Sequence, residues 1–137
     1  MPDTGLVTLQ SAHDFDVTLG RLSASLEAKG ITIFARIDHA AAAASVGLFL
    51  RPTMLFIFGN PAAGTPLMQA DQSSGIDLPL KILLWQDANG IVNLSYNDPS
   101  WIAARHGLVG NAHQAVTAMT AAMDALARHI ASPATQS

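Results

Sequence analysis

Two apolar segments joined by a four-residue turn are the feature that most constrains the fold. The segments are residues 80–86 and 91–96, and Asp87-Ala88-Asn89-Gly90 lies between them. Asn followed by Gly favours the positive φ angles of a tight hairpin turn. In the second segment apolar and polar residues alternate, which predicts one buried and one wet face. The apolar set is Val92, Leu94 and Tyr96, and the polar set is Asn93, Ser95 and Asn97.

Three more segments are predicted to be strands. They are residues 6–11, 31–38 and 53–58. The second has a period of two, which is typical of a half-buried strand. Its two predicted faces are Ile31, Ile33, Ala35 and Ile37 on one side and Thr32, Phe34, Arg36 and Asp38 on the other. Residues 53–58 are apolar on both faces, so we expect a central strand that is covered on both sides.

Helix signals lie between these strands. Asp16 is predicted to cap a first helix that ends at Gly30, and Asp38 to cap a short helix over residues 39–46. Pro66 lacks a backbone N–H, so residues 61–71 are predicted as two turns, the second capped by Thr65, followed by a loop over 72–75.

Two more helices follow the hairpin. Asp98-Pro99 is predicted to open a short helix that ends at Arg105. A long helix is predicted over residues 111–131, because apolar residues repeat there at intervals of three and four. These residues are Val116, Met119, Met123, Leu126 and Ile130. The element order predicts an α+β fold, in which an antiparallel sheet of about five strands packs against the long C-terminal helix.

Composition limits the class of protein. A chain of 137 residues predicts a single domain over residues 1–137. With 17 charged residues and a net charge of -3, we expect no nucleic-acid partner, and part of the apolar surface is expected to be hidden in a homodimer. The chain has no cysteine, which excludes disulfides and thiolate metal sites. No secretory signal or long apolar run is visible, so we expect a cytoplasmic protein without a membrane segment.

Several sequence blocks resemble the family known as domain of unknown function 302. The resemblance spans about residues 13–105, and its most specific block runs from Gly59 to Met68. It implies a fold similar to the TATA-binding-protein-like class, usually a homodimer. The family has no established activity, so the resemblance implies no catalytic residues. The blocks are Phe15-Asp16-x-Thr18, Gly30-Ile31, Ala35-Arg36-Ile37-Asp38-His39, Arg51-Pro52-Thr53, Phe58-Gly59-Asn60-Pro61-x-x-Gly64-Thr65-Pro66-Leu67-Met68, Leu78-Pro79 and Ser95-Tyr96-Asn97-Asp98.

The candidate site is a small-ligand pocket between the sheet and the helices. We expect Arg36, Asp38 and His39 at its mouth, because they lie in a resembling block at the end of a predicted strand. Asn60, Met68 and Tyr96 are expected nearby for the same reason. The leading hypothesis is therefore a binding or interaction domain.

Other functions stay open at this point. His39 could act as an acid–base group that Asp38 orients, or it could join Met68 as a soft ligand pair for copper or haem. Neither hypothesis has a recognisable motif: the chain has no His-Glu-x-x-His and no nucleophile elbow around a serine. Lys81 and Trp85 are predicted to share one face of their strand, where they could line a pocket or an interface. A third possibility is a structural domain whose apolar surface serves only to form the dimer.

Overall fold

The computed structural model describes residues 4–133 and shows one five-stranded antiparallel sheet. The strands lie in the order β1-β5-β4-β3-β2, so the predicted hairpin occupies the middle of the sheet. The α+β class and the sheet of five strands are confirmed. The strands are β1 (Leu6–Gln10), β2 (Thr32–Asp38), β3 (Thr53–Gly59), β4 (Lys81–Gln86) and β5 (Val92–Asn97).

Two long helices pack on one face of this sheet. In chain order the helices are α1 (Phe15–Ala28), α2 (His39–Ser45), α3 (Pro61–Ala70), α4 (Pro99–His106) and α5 (Asn111–Ala131), with a 3-10 helix at Gln72–Asp77. The two long ones are α1 and α5. All five apolar residues of the predicted seam on α5 are buried. Met123, Leu126 and Ile130 meet Leu22 and Leu26 of α1 and the inward side chains of the strands in the main core. Val116 and Met119 pack against Leu67 of α3 in a second, smaller cluster.

The first helix begins two residues earlier than the sequence predicted. Asp14, not Asp16, is the capping residue, because its Oδ1 accepts a hydrogen bond from the Val17 N–H at 2.8 Å. Asp16 lies in the first turn instead, where its charge suits the positive end of the helix dipole. The end of the helix is as predicted: Gly30 has a φ of 67°, and its N–H donates to the Glu27 carbonyl.

A bulge in β2 makes the predicted alternation of that strand wrong. Ile33 pairs with Phe58, but the next pair is Ala35 with Ile57, so Phe34 is an extra residue in β2. One inserted residue turns the following side chains to opposite faces. Arg36 therefore shares a face with Phe56, its partner on β3, and its guanidinium lies 5.2 Å from the centre of that ring.

Residues 61–70 form one helix rather than two turns. Pro66 lies inside α3, where the Ala62 carbonyl loses its normal N–H donor. The proline ring also crowds this carbonyl, but the continued helix buries Leu67 to 1% exposure against Val116 and Met119 of α5. The predicted loop at 72–75 is likewise ordered, as part of the 3-10 helix.

The predicted wet face of β5 is also wrong. Asn93 and Ser95 are only 8% and 5% exposed, although they face away from the helices. β5 lies between two strands, and its neighbours cover it: the Trp85 Nε1–H donates to Ser95 Oγ at 2.9 Å, and the Thr8 and Ser95 hydroxyls are 2.8 Å apart. These hydrogen bonds satisfy Ser95 without solvent.

The coverage of β3 is likewise different from the prediction. Phe56 and Phe58 are fully buried against the helices, whereas the alternate residues of the strand, including Leu55 and Ile57, are only partly buried. The apolar second face of β3 therefore does not lie under a second layer of helices. This face of the sheet is less covered than the face that packs against α1 and α5.

Candidate ligand-binding cavity

A cavity of about 680 Å³ opens where α3 and α5 meet the end of the sheet. Its inner wall is formed by Phe58 at the end of β3 and by Leu80 just before β4. The bulged residue Phe34 lies at its edge, since the extra residue in β2 turns this ring toward the cavity. The cavity therefore depends on the irregularity of an edge strand as well as on the helices.

Small side chains on α5 create the space. Ala115, Ala118, Ala122 and Ala125 line the cavity at helical spacing, and Met119 and Met123 lie beneath them. A methyl group fills little of the room that a leucine would take, so this stripe leaves a channel beside the helix. From residue 115 to residue 125 the wall is about 15 Å long, given 1.5 Å per residue.

The opposite wall is the first half of α3, and its sequence explains why it is there. The Asn60 Oδ1 accepts a hydrogen bond from the Ala62 N–H at 2.9 Å, and Pro61 follows as the first helical residue. Gly64 and Thr65 continue the wall with small side chains. Met68 completes it, with its sulfur 3.2 Å from the place that a Cβ on Gly75 would occupy. A glycine at 75 thus gives Met68 its room.

The cavity has few polar groups. Among the described residues that line it, Lys29 is the only one with a charge, and Asn60 and Thr65 supply the polar side chains. Lys29 caps the C-terminal end of α1 and is exposed at the rim. None of the ion pairs within residues 4–133 involves it. The lining is therefore apolar with one free positive charge at its edge.

The structure divides the predicted site residues into separate groups. Asn60 and Met68 line the cavity. Asp38 pairs with Met54 at the beginning of β3, whereas Asn60 follows the end of that strand, about 20 Å away at 3.3 Å per residue. Arg36 and His39 lie at the Asp38 end, so these three residues do not meet Asn60 and Met68.

The alternative roles of His39 have little geometric support. The Asp38 Oδ1 accepts a hydrogen bond from the Ala41 N–H at 2.9 Å, so this carboxylate caps α2. His39 is the first residue of α2, at the opposite end of β3 from Met68, and the two are not placed as a ligand pair. Within the described part of the chain, no three His, Cys, Asp or Glu side chains come together in a metal-binding group.

Tyr96 and Trp85 also lie outside the cavity, on opposite faces of the sheet. Tyr96 belongs to the core beneath the helices, and Trp85 bonds to Ser95 on the other side. Lys81 bends back along the chain, where its ammonium donates to the Pro79 carbonyl at 2.8 Å. Partial burial lowers the pKa of Lys81, although the nearby Asp77 carboxylate opposes this effect.

A polar cluster that the sequence did not reveal joins the 3-10 helix to α4. Asp77 accepts hydrogen bonds from Arg105 Nη1 at 2.9 Å and from His106 Nε2 at 2.6 Å. Asp71 caps the 3-10 helix, and hydrogen bonds from the Ser73 hydroxyl and N–H lower the pKa of its carboxyl. The partners lie 28 and 29 positions apart in the chain, so no local motif signals the cluster.

Fold and cavity together define a small α+β domain in which helices cover one face of an antiparallel sheet. A family model described as "Domain of unknown function DUF302" matches residues 7–126. The chain therefore belongs to the family of domains of unknown function 302, as the sequence blocks indicated.

Curated proteins and solved structures are similar to this chain. Proteins named fluoride-specific ion channel FluC 1 from Brucella suis and FluC 2 from Brucella melitensis are each 43% identical to it over 129 residues. The match covers 94% of this chain but 51% and 48% of those proteins, so the chain spans about half the length of the curated relatives it matches. Within residues 4–133, no helix is both long and apolar enough to cross a membrane.

The solved structure supports the fold alone. It is the crystal structure of an uncharacterized conserved DUF302 protein from Bacillus stearothermophilus, which is 17% identical to this chain with a TM-score of 0.81. The alignment covers 93% of this chain and 98% of the Bacillus chain. At this identity the likeness extends to the arrangement of strands and helices.

Proposed function

We propose that this domain binds a small, largely apolar molecule in the cavity between α3, α5 and the end of the sheet. The observation that carries the proposal is the cavity itself: about 680 Å³ of concave, apolar space. Ligand sites in proteins typically measure about 300–1,000 Å³ and have apolar walls with a few polar groups. A cytoplasmic location, which we expect from the sequence, is part of this proposal.

The lining favours a ligand with an apolar body and one anionic or hydrogen-bond-accepting end. The alanine stripe of α5 offers a long contact to an apolar chain or ring, and burial of such a group contributes about 25 cal/mol per Å². The Lys29 ammonium at the rim carries three donors and no acceptor, so it suits a carboxylate or sulfonate. No acidic side chain among the described lining residues opposes such a group.

Fluoride is a poor match for this cavity. The curated relatives are named as fluoride channels, yet a small, strongly hydrated anion must exchange its water for several hydrogen-bond donors. The described lining supplies one exposed ammonium among mostly apolar side chains. We therefore propose that the shared half of these proteins contributes the binding of an apolar ligand, and that fluoride does not compete for the cavity.

Filling the cavity is expected to weaken ligand binding strongly. The probe is 1-anilinonaphthalene-8-sulfonate, which combines an aromatic body with one anionic group. Fluorescence titration of the wild-type protein is expected to show saturable binding, and Ala122→Trp to weaken it at least tenfold, because the indole occupies the channel along α5. Ala121→Trp is the matched control: it introduces the same side chain on the same helix, at an exposed position outside the cavity.

Two further binding measurements identify the polar end of the ligand. Lys29→Gln is expected to weaken binding of the sulfonate probe several-fold but to leave the neutral N-phenyl-1-naphthylamine unchanged. Sodium fluoride is expected to displace neither probe beyond the effect of sodium chloride. Near-UV circular dichroism must show that every variant keeps its tertiary structure, since a loosened core also binds such dyes. Equal binding by Ala122→Trp and Ala121→Trp would contradict the proposal.

We also propose that the domain forms a homodimer through the loop between α2 and β3. Four large apolar side chains are exposed within five positions there: Val46, Leu48, Phe49 and Leu50, with Phe49 at 86%. Soluble monomers rarely leave such a continuous apolar patch in water. The loop adjoins β2, an edge strand whose outer backbone groups have no partner strand in this sheet. A second copy of the chain would cover both.

Two negative charges placed in this loop are expected to dissociate the dimer. Native mass spectrometry of the wild type is expected to give a dimer, and the double variant Leu48→Asp/Phe49→Asp a folded monomer, because burying two carboxylates opposes association. Val109→Asp is the control, since Val109 is 77% exposed in a different loop. A monomeric wild type, or a dimer that survives the double variant, would contradict this interface.

A further inference from the structure

A second, polar cleft of about 530 Å³ lies on the other side of α5. Ala118 and Ala122 face the apolar cavity, whereas Thr117, Ala121 and Asp124 line the cleft. Residue steps of 100° separate the centres of these two sets by roughly 110°, so they lie on different sides of the helix. The remaining polar groups of the cleft come from the end of β5 and the beginning of α4. The cleft is therefore a separate site, and it does not depend on the ligand proposed for the cavity.

The serine and threonine hydroxyl groups of the cleft present lone pairs rather than hydrogens. Thr117 donates to the His113 carbonyl at 3.0 Å, and Thr120 donates to the Val116 carbonyl at 2.8 Å. Ser100 Oγ lies 3.2 Å from Thr120 Oγ1, and because the Thr120 hydrogen is already used, Ser100 must be the donor in that contact. A hydroxyl group has one hydrogen and two lone pairs, so all three retain acceptor capacity only.

Two carboxylates add negative charge. Asp98 caps α4, where its Oδ1 accepts the Ser100 N–H at 2.9 Å, and it forms none of the ion pairs within residues 4–133. The two carboxylate oxygens of Asp124 share the single N–H of Arg128 Nε, at 2.9 and 3.0 Å. Counting Asp98, Asp124 and Arg128, the charged groups here sum to one negative charge.

Tyr96 supplies the remaining group, and its hydroxyl is without a partner. The side chain is 6% exposed, with its ring in the core, yet it lines the cleft and makes no hydrogen bond to any other described residue. Burial, followed by the nearby carboxylates of Asp124 and Asp98, raises the pKa of this phenol, whereas Arg128 opposes the shift. The hydroxyl oxygen is not sealed from solvent, so it remains available to a ligand in the cleft.

We infer that this cleft binds a small organic cation with a primary ammonium group. An ammonium has three donors and no acceptor, which complements walls that offer acceptors from three elements. A guanidinium fits less well, because its planar fork prefers a carboxylate with both oxygens free. Asp98 has one oxygen occupied by Ser100, and Asp124 is already held by Arg128. Ammonium donors, in contrast, rotate to separate partners.

The probe for this site is 1,4-diaminobutane at pH 7, followed by isothermal titration calorimetry. Its neutral analogue 1,4-butanediol is expected to bind at least tenfold more weakly. Asp98→Asn is expected to weaken diamine binding at least fivefold, while asparagine keeps the cap of α4. Tyr96→Phe is expected to weaken it about threefold, because only the hydroxyl is lost. Asp16→Asn removes an equal charge from an exposed position on α1 and is expected to change nothing.

The site can be located independently, because Tyr96 is the sole tyrosine of the chain. In protein carrying ¹³C-labelled tyrosine, the ring signals are expected to shift with diamine and to saturate at the calorimetric Kd, but to stay in place with butanediol. Any one of four results would overturn the inference. These are ring signals that do not move, equal binding of diamine and diol, full diamine affinity in Asp98→Asn, and potassium chloride that displaces the diamine as well as an ammonium compound does.

Discussion

Phe56→Ala is expected to lower the free energy of unfolding by about 3–5 kcal/mol, the range typical of a buried phenylalanine. Phe56 is fully buried in the middle of β3, in the core formed with α1 and α5. Its loss leaves a void that Leu22, Leu26 and Ile82 cannot fill without moving, and it also removes the ring that lies beneath the Arg36 guanidinium. The measurement is urea denaturation followed by far-UV circular dichroism.

Phe49→Ala is the matched control for this prediction. It removes the same atoms from a side chain that is 86% exposed, so the stability of the isolated chain is expected to change by less than about 0.5 kcal/mol. The two variants must be compared at a protein concentration where both are monomeric, because Phe49 lies in the proposed dimer interface. A similar loss in both variants would mean that the sheet does not bury Phe56 as described.

Local signals in the sequence identified most of the elements correctly. The Asn-Gly turn marked the hairpin, and Gly90 has the expected positive φ of 81°, whereas Asn89 does not have the positive φ that was also expected of it. Asp38 and Asp98 were predicted at the beginning of helices, and each accepts the backbone hydrogen bond that a capping residue makes. These predictions succeed because caps and turns depend on interactions between residues close in the chain.

The predictions that failed depend on distant partners. The bulge at Phe34 is decided by how β2 pairs with β3, and the burial of Ser95 by Trp85 and Thr8 on neighbouring strands. Pro66 was expected to end its helix, but the contact of Leu67 with α5 favours continuing it. Propensity alone cannot weigh such packing against the loss of one hydrogen bond.

The site was foreseen only in part, for the same reason. Asn60 and Met68 were chosen from a resembling block, and they line the cavity. The alanines of α5 gave no signal, because small residues are ordinary in helices and their importance appears only when α3 lies opposite. The acceptor role of the serine and threonine hydroxyls of the cleft is likewise invisible in the sequence, since it depends on where each hydroxyl hydrogen is directed.

Gly5 is another residue whose role only the structure reveals. It lies just before β1 with a φ of +77°, and its carbonyl accepts the Asp98 N–H at 2.8 Å. This bond joins the first strand to the beginning of α4. A Cβ at this position would lie 2.3 Å from Trp101 Cγ and 2.4 Å from Trp101 Cδ2, much closer than atoms approach without a bond. The absent side chain is therefore what lets the indole pack against the backbone.

Gly5→Ala is accordingly expected to destabilise the protein by about 3 kcal/mol, from about 1–2 for a positive φ and about 1–3 for overpacking. Gly90→Ala isolates the cost of the positive φ, because Gly90 has a φ of +81° but no atom lies within 4 Å of the added methyl. The loss of stability in this variant is therefore expected to be about 1–2 kcal/mol. Trp101→Ala in the Gly5→Ala background should recover the collision energy, which a double-mutant cycle by thermal denaturation measures. Equal losses for Gly5→Ala and Gly90→Ala would mean that β1 and α4 are not in contact at this point.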